Sequence, residues 1–162
     1  MTQKTNTDRP FGSYLTAKRT IFDADICTFV NVGGLHEPLF IDMEYVKTNM
    51  PPSHHRRFAP GPFLMTIAMG LVAPLLLTVL DDISKTQPIG LMKGMVNVNA
   101  DIKMPGYAGD TMQVELIPRI TSITKSGNIM LALQHIMRNQ DDIIIVDFIE
   151  TLMLGPAQKN AE

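Results

Sequence analysis

The most informative segment of this chain reads Gly33-Gly-Leu-His-Glu-Pro-Leu-Phe-Ile-Asp-Met-Glu-Tyr-Val-Lys47. Its glycines follow a stretch with helical periodicity, which is how many helices end. Asp42 is a residue type that caps helix N-termini, and it predicts a short helix through Lys47. The loop between the two predicted helices carries the adjacent pair His36 and Glu37, whose side chains are able to transfer protons.

The flanking sequence predicts a helix before this segment and an exposed loop after it. Ahead of it, Ile26, Phe29 and Val30 share one face of a helix opened by Asp23. Behind it, residues 48–57 hold two prolines and a charge cluster, which indicates an exposed loop.

Residues 63–80 are almost unbroken apolar sequence, about the length that spans a bilayer. The prolines at 62 and 74, the internal Gly70 and the strand patterns that follow favour a buried central helix instead. The helix is expected to begin near Gly61, where an early proline is tolerated. Pro74 is expected to kink the helix or to end its first half.

The chain beyond Gly90 has the two-residue alternation of an antiparallel sheet. Pro118 predicts an edge or a bulge in its strand. The last predicted strand is apolar on both faces in places, which predicts a central position. The predicted strands, joined by short turns, cover residues 96–104, 111–123, 129–137 and 143–154.

Length and composition predict one globular domain, and the predicted helices followed by a run of strands make it α+β. The chain has 162 residues, 45% hydrophobic and 19% charged, enough for a real core. A net charge of −2 gives no electrostatic footprint for nucleic acid. The single cysteine excludes an internal disulfide and fits a cytoplasmic protein. The polar start is interpreted as a flexible lead-in over residues 1–18, and residues 156–162 as a polar tail.

Five segments in order resemble the MaoC-like hydratases. The loop matches that family's G-D-x-N-P-L-H-x-D frame at Gly34, Pro38, Leu39 and Asp42, and Glu44 and Tyr45 match the helix after it. The other four segments are Arg19-Thr-Ile-Phe-Asp-Ala-Asp-Ile26, Phe58-Ala-Pro-Gly-Pro62, Met104-Pro-Gly-Tyr-Ala-Gly-Asp-Thr111 and Asn139-Gln-Asp141.

The resemblance implies a single hot-dog domain over residues 19–155, in which a curved antiparallel sheet wraps a long central helix. It implies a substrate that is an acyl thioester of coenzyme A (CoA) or of acyl carrier protein. No cofactor, metal ion, nucleic acid or membrane is expected. Such a sheet leaves an edge that needs cover, so a homodimer or a higher homo-oligomer is expected.

The resemblance also assigns candidate site residues. In such enzymes a backbone N–H at the start of the central helix polarises the thioester carbonyl, and Gly61 is the matching position. The alternative is that Gly61 is only a hinge. The family's catalytic aspartate and histidine positions hold Leu35 and Phe40, which move no protons and are expected to contact the substrate instead. His36 and Glu37 are the nearby replacements, or else they are solvated loop residues.

The remaining candidates are weaker. Arg56 and Arg57 lie in the one dense basic cluster and are expected to meet CoA phosphates, unless the loop is simply solvated. His54 and His55 are adjacent rather than at ligand spacing, so no zinc site is predicted. His135 is interpreted as a satisfied core or edge histidine.

Three functions stay open at this point. The first is a lyase, a hydratase or dehydratase of acyl-CoA with an atypical active site built from His36 and Glu37. The second is a catalytically silent acyl-CoA-binding subunit of a heteromeric hydratase. The third is a hot-dog thioesterase with Glu37 or Asp42 as base. A pocket closed by Leu35 and Phe40 would favour the silent subunit.

Overall fold

The computed structural model describes residues 11–157, which form one long helix packed on one antiparallel sheet. The α+β class predicted from the sequence is confirmed. Six strands lie in the order β1-β4-β5-β6-β3, with β2 also paired to β4. The strands are β1 (Tyr14–Leu15), β2 (Arg19–Thr20), β3 (Met92–Ile102), β4 (Thr111–Ile123), β5 (Ile129–Arg138) and β6 (Ile144–Leu154).

Among residues 11–157, four α-helices precede β3, and three of them match the sequence prediction. They are α1 (Asp23–Gly33), α2 (Pro38–Ile41), α3 (Met43–Asn49) and α4 (Gly61–Ser84). The predicted loop after α3 contains a short 3₁₀ helix, Pro52–His54. The single-turn α2 is too short to leave a periodic pattern in the sequence, although Pro38 at its first position suits a helix start.

The pairing register makes one face of the sheet the inner face, toward α4. Leu116 on β4 pairs with His135 on β5, which pairs with Phe148 on β6, and all three are buried. Because side chains alternate along a strand, every second residue from these three also faces inward. The inner face and α4 together form the hydrophobic core.

Helix α4 is buried on one side only. Phe63, Leu64, Ile67, Ala68, Val72, Val79 and Ile83 are buried, while Thr66, Gly70, Ala73 and Leu77 form an exposed stripe. The expectation that Pro74 could end the helix is wrong, since α4 continues to Ser84. Gly70 and Pro74 are both exposed, so water can satisfy the Gly70 carbonyl that Pro74 leaves without a donor.

Strand β3 forms one edge of the sheet, and β6 occupies the predicted central place between β5 and β3. β3 starts at Met92 rather than Val96 and ends at Ile102. Its inner-face side chains are largely exposed because α4 lies across β4, β5 and β6 instead. A single chain therefore leaves both an open strand edge and an apolar surface beside α4.

Both predicted terminal segments extend outside the described residues. Of the lead-in predicted over residues 1–18, the described part includes β1, in which Tyr14 pairs with Leu116 and Leu15 with Glu115. The Tyr14 hydroxyl also donates to Asp82 near the end of α4 at 2.9 Å.

We expect the open edge of β3 to pair with a second chain, which would make the sheet continuous across a dimer. Val96 on β3 is 48% exposed, and Leu15 on the opposite edge strand is 65% exposed. Val96→Glu should shift sedimentation toward the monomer by placing like charges near a two-fold interface, whereas Leu15→Glu should not. A wild-type chain that sediments as a monomer at micromolar concentration would contradict the expectation.

Candidate functional site

The chain after α1 is turned back toward the core by Gly34, whose backbone is left-handed (φ 66°). Glycine adopts this conformation without steric strain. The amide of Leu35 then donates to the carbonyl of Val30 at 3.0 Å. The Leu35 side chain is consequently half buried against the core.

Phe40 reaches the core from α2. Its amide donates to the carbonyl of Glu37 at 2.9 Å, and its side chain is half buried against the core. Asp42 then caps α3, as predicted: its Oδ1 accepts the amides of Glu44 at 2.9 Å and Tyr45 at 3.0 Å. This capping fixes the direction in which the loop leaves α2.

The four candidate residues of the loop therefore divide into two groups. Leu35 and Phe40 pack on the core, while His36 and Glu37 are exposed. Neither ionisable side chain forms a hydrogen bond with the described part of the chain. In one chain, the inward positions of the loop thus carry no acid–base group.

Arg57 holds this loop in place. Its Nε donates to Asp23 Oδ1 at 2.7 Å, and its Nη1 donates to the carbonyl of Phe40 at 2.8 Å. The Arg57 side chain is mostly buried, whereas Asp23 is largely exposed. The guanidinium therefore ties the start of α1 to α2, a role that the sequence did not reveal.

Arg56 is also engaged within the chain. Its Nη2 donates to Asp110 Oδ1 and to the carbonyl of Ala108, both at 2.7 Å. Its guanidinium carbon lies 4.9 Å from the centre of the Tyr107 ring. Asp110 is buried and also accepts the Tyr107 amide at 2.9 Å. The Arg56 side chain is nevertheless 44% exposed and can reach a ligand at the surface.

Gly61 opens α4 against the end of β3. A Cβ at this position would lie 3.2 Å from the side chain of Ile102, so glycine permits the close approach. Beside this end of α4, an apolar cleft of about 310 Å³ separates it from α1. Phe29 of α1 and Phe63 of α4 line the cleft, with their rings 5.4 Å apart in an edge-on arrangement.

His135 differs from the prediction, because it is only half satisfied. It is fully buried on the inner face and stacks on Phe148, with ring centres 4.3 Å apart. Its Nδ1 lies 2.9 Å from the carbonyl of Leu133, but its Nε2 has no hydrogen-bond partner among residues 11–157. The nearest acid is Glu150, whose Oε2 is 3.7 Å from Nε2.

Burial shifts the pKa values of His135 and Glu150 in the directions that favour their uncharged forms. Desolvation lowers the pKa of His135 to about 4, opposed by its hydrogen bond to Leu133. Desolvation raises the pKa of Glu150. Sequence inspection missed Glu150 altogether, although the alternation of β6 places it on the same face as Phe148 and Leu152.

Metal ligation finds no support in the described part of the chain. No group of three or more His, Cys, Asp or Glu side chains lies close enough there to hold an ion. The single cysteine, Cys27, is exposed on α1.

Comparison of the fold with solved structures identifies its class. A MaoC-like dehydratase from Rhodospirillum rubrum superposes with a TM-score of 0.66 at 16% identity, over 91% of this chain and 93% of that chain. The unliganded R-hydratase PhaJ1 from Pseudomonas aeruginosa gives 0.57 at 19% identity, over 94% and 92%. The chain thus has the hot-dog fold of MaoC-like dehydratases and R-hydratases, as the sequence predicted.

A third similar structure is a complex. The C-terminally truncated HadBC (3R-hydroxyacyl-ACP dehydratase) complex from Mycobacterium tuberculosis has a TM-score of 0.60 at 17% identity, over 88% of this chain and 96% of that chain. By sequence, no protein-family model and no curated protein matches this chain.

Arg57→Ala should loosen the loop. It removes the hydrogen bond to the Phe40 carbonyl, and we expect the free energy of unfolding to fall by about 1–2 kcal/mol. Arg19→Ala is the matched control, because Arg19 pairs with Asp25 at 3.0 Å through a side chain that is 46% exposed, against 20% for Arg57, and should contribute less than about 1 kcal/mol. Equal losses in urea titrations of the two variants would contradict the assigned role of Arg57.

The buried imidazole predicts a pH-dependent stability. The folded pKa of His135 is about 4 against an ordinary 6.5, so the folded state binds fewer protons between these values. The free energy of unfolding should therefore fall as pH drops through this window, by at most about 1.4 kcal/mol per pH unit.

His135→Phe keeps a ring beside Phe148 and should remove this dependence. Glu150, whose raised pKa gives the opposite slope above 4.5, is present in both proteins. The difference in unfolding free energy between wild type and variant should therefore change between pH 7 and pH 4.5. Parallel curves in denaturant titrations would show that His135 does not titrate as described.

Proposed function

We propose that this protein binds an acyl thioester of CoA or acyl carrier protein at the start of α4 and serves as the binding subunit of a MaoC-like hydratase or dehydratase. The observation that carries the proposal is the orientation of the loop. Leu35 and Phe40 fill the inward positions, and His36 and Glu37 are exposed. The frame of a thioester site is kept, while its acid–base pair is absent.

The start of α4 supports thioester binding. The first amides of a helix have no partner within the helix, and the dipole there is positive. Gly61 supplies such an amide, and Pro62 has no N–H to compete with it. Both features favour the partial negative charge of a polarised carbonyl oxygen. The neighbouring apolar cleft, lined by Phe29 and Phe63, offers surface for an uncharged part of the ligand.

The chemistry of hydration supports a binding role over a catalytic one. Adding water to an enoyl thioester needs one group to take a proton from water and another to deliver a proton to the α-carbon. Leu35 and Phe40 can do neither. An active partner would have to supply these groups, and at the open edge of β3 it would take the place of a second copy of this chain. The similar HadBC structure, described as a complex, is in keeping with such an arrangement.

The second candidate is a hydratase or dehydratase that uses His36 and Glu37. Both side chains are exposed, so a partner chain closing over the loop could enclose them. For the thioesterase alternative, Glu37 is the better base of the two considered, because Asp42 is occupied by two amides of α3. Arg56 is the better candidate for a CoA phosphate, since Arg57 is mostly buried and holds the loop.

Butyryl-CoA, which cannot be hydrated, tests binding. At about 100 times its Kd, a ligand of the folded state adds about 2.7 kcal/mol of stability, or roughly 5–10 °C in Tm. Gly61→Ala should reduce this shift by crowding the start of α4. Gly70→Ala is the matched control, because a Cβ there meets nothing within 4 Å. No shift with millimolar butyryl-CoA would refute the proposal.

Crotonyl-CoA separates the two candidates. The binding role predicts no hydration by the isolated protein, because the acid–base groups, each worth about 10²–10⁴ in rate, are missing. If hydration or thiol release is detected and falls in both His36→Ala and Glu37→Gln, the second candidate replaces the first. Robust hydration that survives both changes would contradict both candidates, since a different part of the chain would then activate water.

A further inference from the structure

His135 and Glu150 are two ionisable residues on the inner face of the sheet, where the core is otherwise apolar. His135 is fully buried in β5, and the Glu150 side chain in β6 is 15% exposed. They lie on adjacent strands but are not directly opposite each other. His135 of β5 pairs with Phe148 of β6, and Glu150 of β6 pairs with Leu133 of β5. The proposed thioester site uses neither residue.

The hydrogen bonding of the pair is incomplete. The Leu133 carbonyl can only accept, so it places the imidazole proton on Nδ1 and leaves Nε2 as an acceptor. Nε2 and Glu150 Oε2 are 3.7 Å apart, too far for a direct hydrogen bond. One oxygen atom can contact both at ordinary hydrogen-bond distances of about 2.8 Å. A buried acceptor without a partner is unfavourable, and such sites call for an explanation.

The chemistry of this gap selects a hydroxyl group. Desolvation lowers the pKa of His135 and keeps Nε2 an acceptor, and it raises the pKa of Glu150, which favours the protonated carboxyl as a donor. A hydroxyl group can donate to the first and accept from the second. A methylene group can do neither, so it would leave both polar atoms unpaired.

The pair lies beyond the start of α4 along the strands. Gly61 meets Ile102, and Ile102 pairs with Val146. The next row of the inner face contains His135, and the row after it contains Glu150. Rows of the same face are about 7 Å apart, so the pair lies roughly 7–14 Å beyond Ile102 along the strand direction, with β6 and β5 about 5 and 10 Å to the side of β3. An acyl chain attached to a thioester at Gly61 could extend in this direction.

We propose that His135 and Glu150 form an internal polar site that binds a hydroxyl group on the acyl chain, beyond the carbons that react in hydration. This inference rests on the proposed binding of an acyl thioester at Gly61, and it assigns that site a substrate class, the hydroxylated acyl thioesters. The preference for a hydroxylated acyl chain then comes from side chains of β5 and β6 rather than from the loop after α1.

The pair comes closest to the surface on the β3 side, where the Glu150 side chain is 15% exposed. Glu150 pairs with Val98 of β3, which is half buried, and the neighbouring Ala100 is exposed because α4 does not cover this strand. The Glu150 carboxyl covers Nε2 from this side. A change of rotamer at χ1 or χ2 of Glu150 would move the carboxyl and uncover Nε2 without backbone movement.

Calorimetric titration with a set of ligands tests the proposal. The set is octanoyl-CoA and a series of octanoyl-CoAs with a single hydroxyl group. The hydroxyl is on a different carbon in each member of the series, from the fourth carbon to the eighth. The third carbon is left out because its hydroxyl is the one that hydration adds. The wild-type protein should bind the ligand hydroxylated at one position, or at two adjacent positions, about tenfold or more tightly than octanoyl-CoA.

Three variants and a control locate the preference. His135→Phe and Glu150→Met should abolish it, while Glu150→Gln, whose amide can still donate and accept, should retain most of it. Glu115→Gln changes a carboxylate on the opposite face of the sheet and should leave the preference unchanged. Thermal melts verify folding, and His135→Phe should not be destabilised at neutral pH because it removes an unpaired buried acceptor.

The outcomes separate this inference from the proposed function. If octanoyl-CoA binds but no hydroxylated ligand binds more tightly, the polar site is refuted and thioester binding stands. A preference that persists in both His135→Phe and Glu150→Met means that the hydroxyl is recognised elsewhere, which also refutes the inference. If no acyl-CoA binds at all, both proposals fail.

Discussion

The apolar side of α4 packs against the inner face of β4, β5 and β6, and the other features of the molecule depend on this contact. It buries Phe63, Leu64 and Ile67 on the helix side. Because strand side chains alternate with a period of two, the contact also determines which residues of the sheet face inward. A slip of one residue would move His135 and Glu150 to the outer face and expose the core.

The same contact determines what α4 leaves uncovered. The helix crosses the sheet toward β4, so β3 keeps an open edge and exposed apolar side chains. The start of α4 still approaches the end of β3, where Gly61 meets Ile102. A thioester held at Gly61 would therefore lie beside the least covered part of the sheet, which is also where a second chain would pair.

The loop after α1 is held in place by contacts that do not involve its two inward-facing side chains. Gly34 turns the chain, Asp42 caps α3, and Arg57 ties the loop to α1. These contacts hold the loop whatever side chains occupy its inward positions. Leu35 and Phe40 add apolar surface there, which suits an acyl chain better than it suits an activated water.

Local patterns made much of the fold predictable. Apolar periodicity located α1 and α4, Asp42 marked α3, and two-residue alternation located β4, β5 and β6. Contacts between residues far apart in the sequence could not be predicted from such local patterns. The partners of Arg57 are 34 and 17 residues away, and the gap between His135 and Glu150 depends on the pairing of two strands. The effect of Pro74 was misjudged because the exposure of Gly70 depends on how α4 packs.

A crystal structure of the protein with bound octanoyl-CoA would locate the thioester directly. We expect a thioester oxygen within hydrogen-bond distance of the Gly61 amide, with Leu35 and Phe40 against the acyl group and no side chain positioned to activate water. A thioester bound away from α4 would refute binding at the start of this helix. A thioester at Gly61 with His36 and Glu37 holding a water beside its β-carbon would refute the purely binding role.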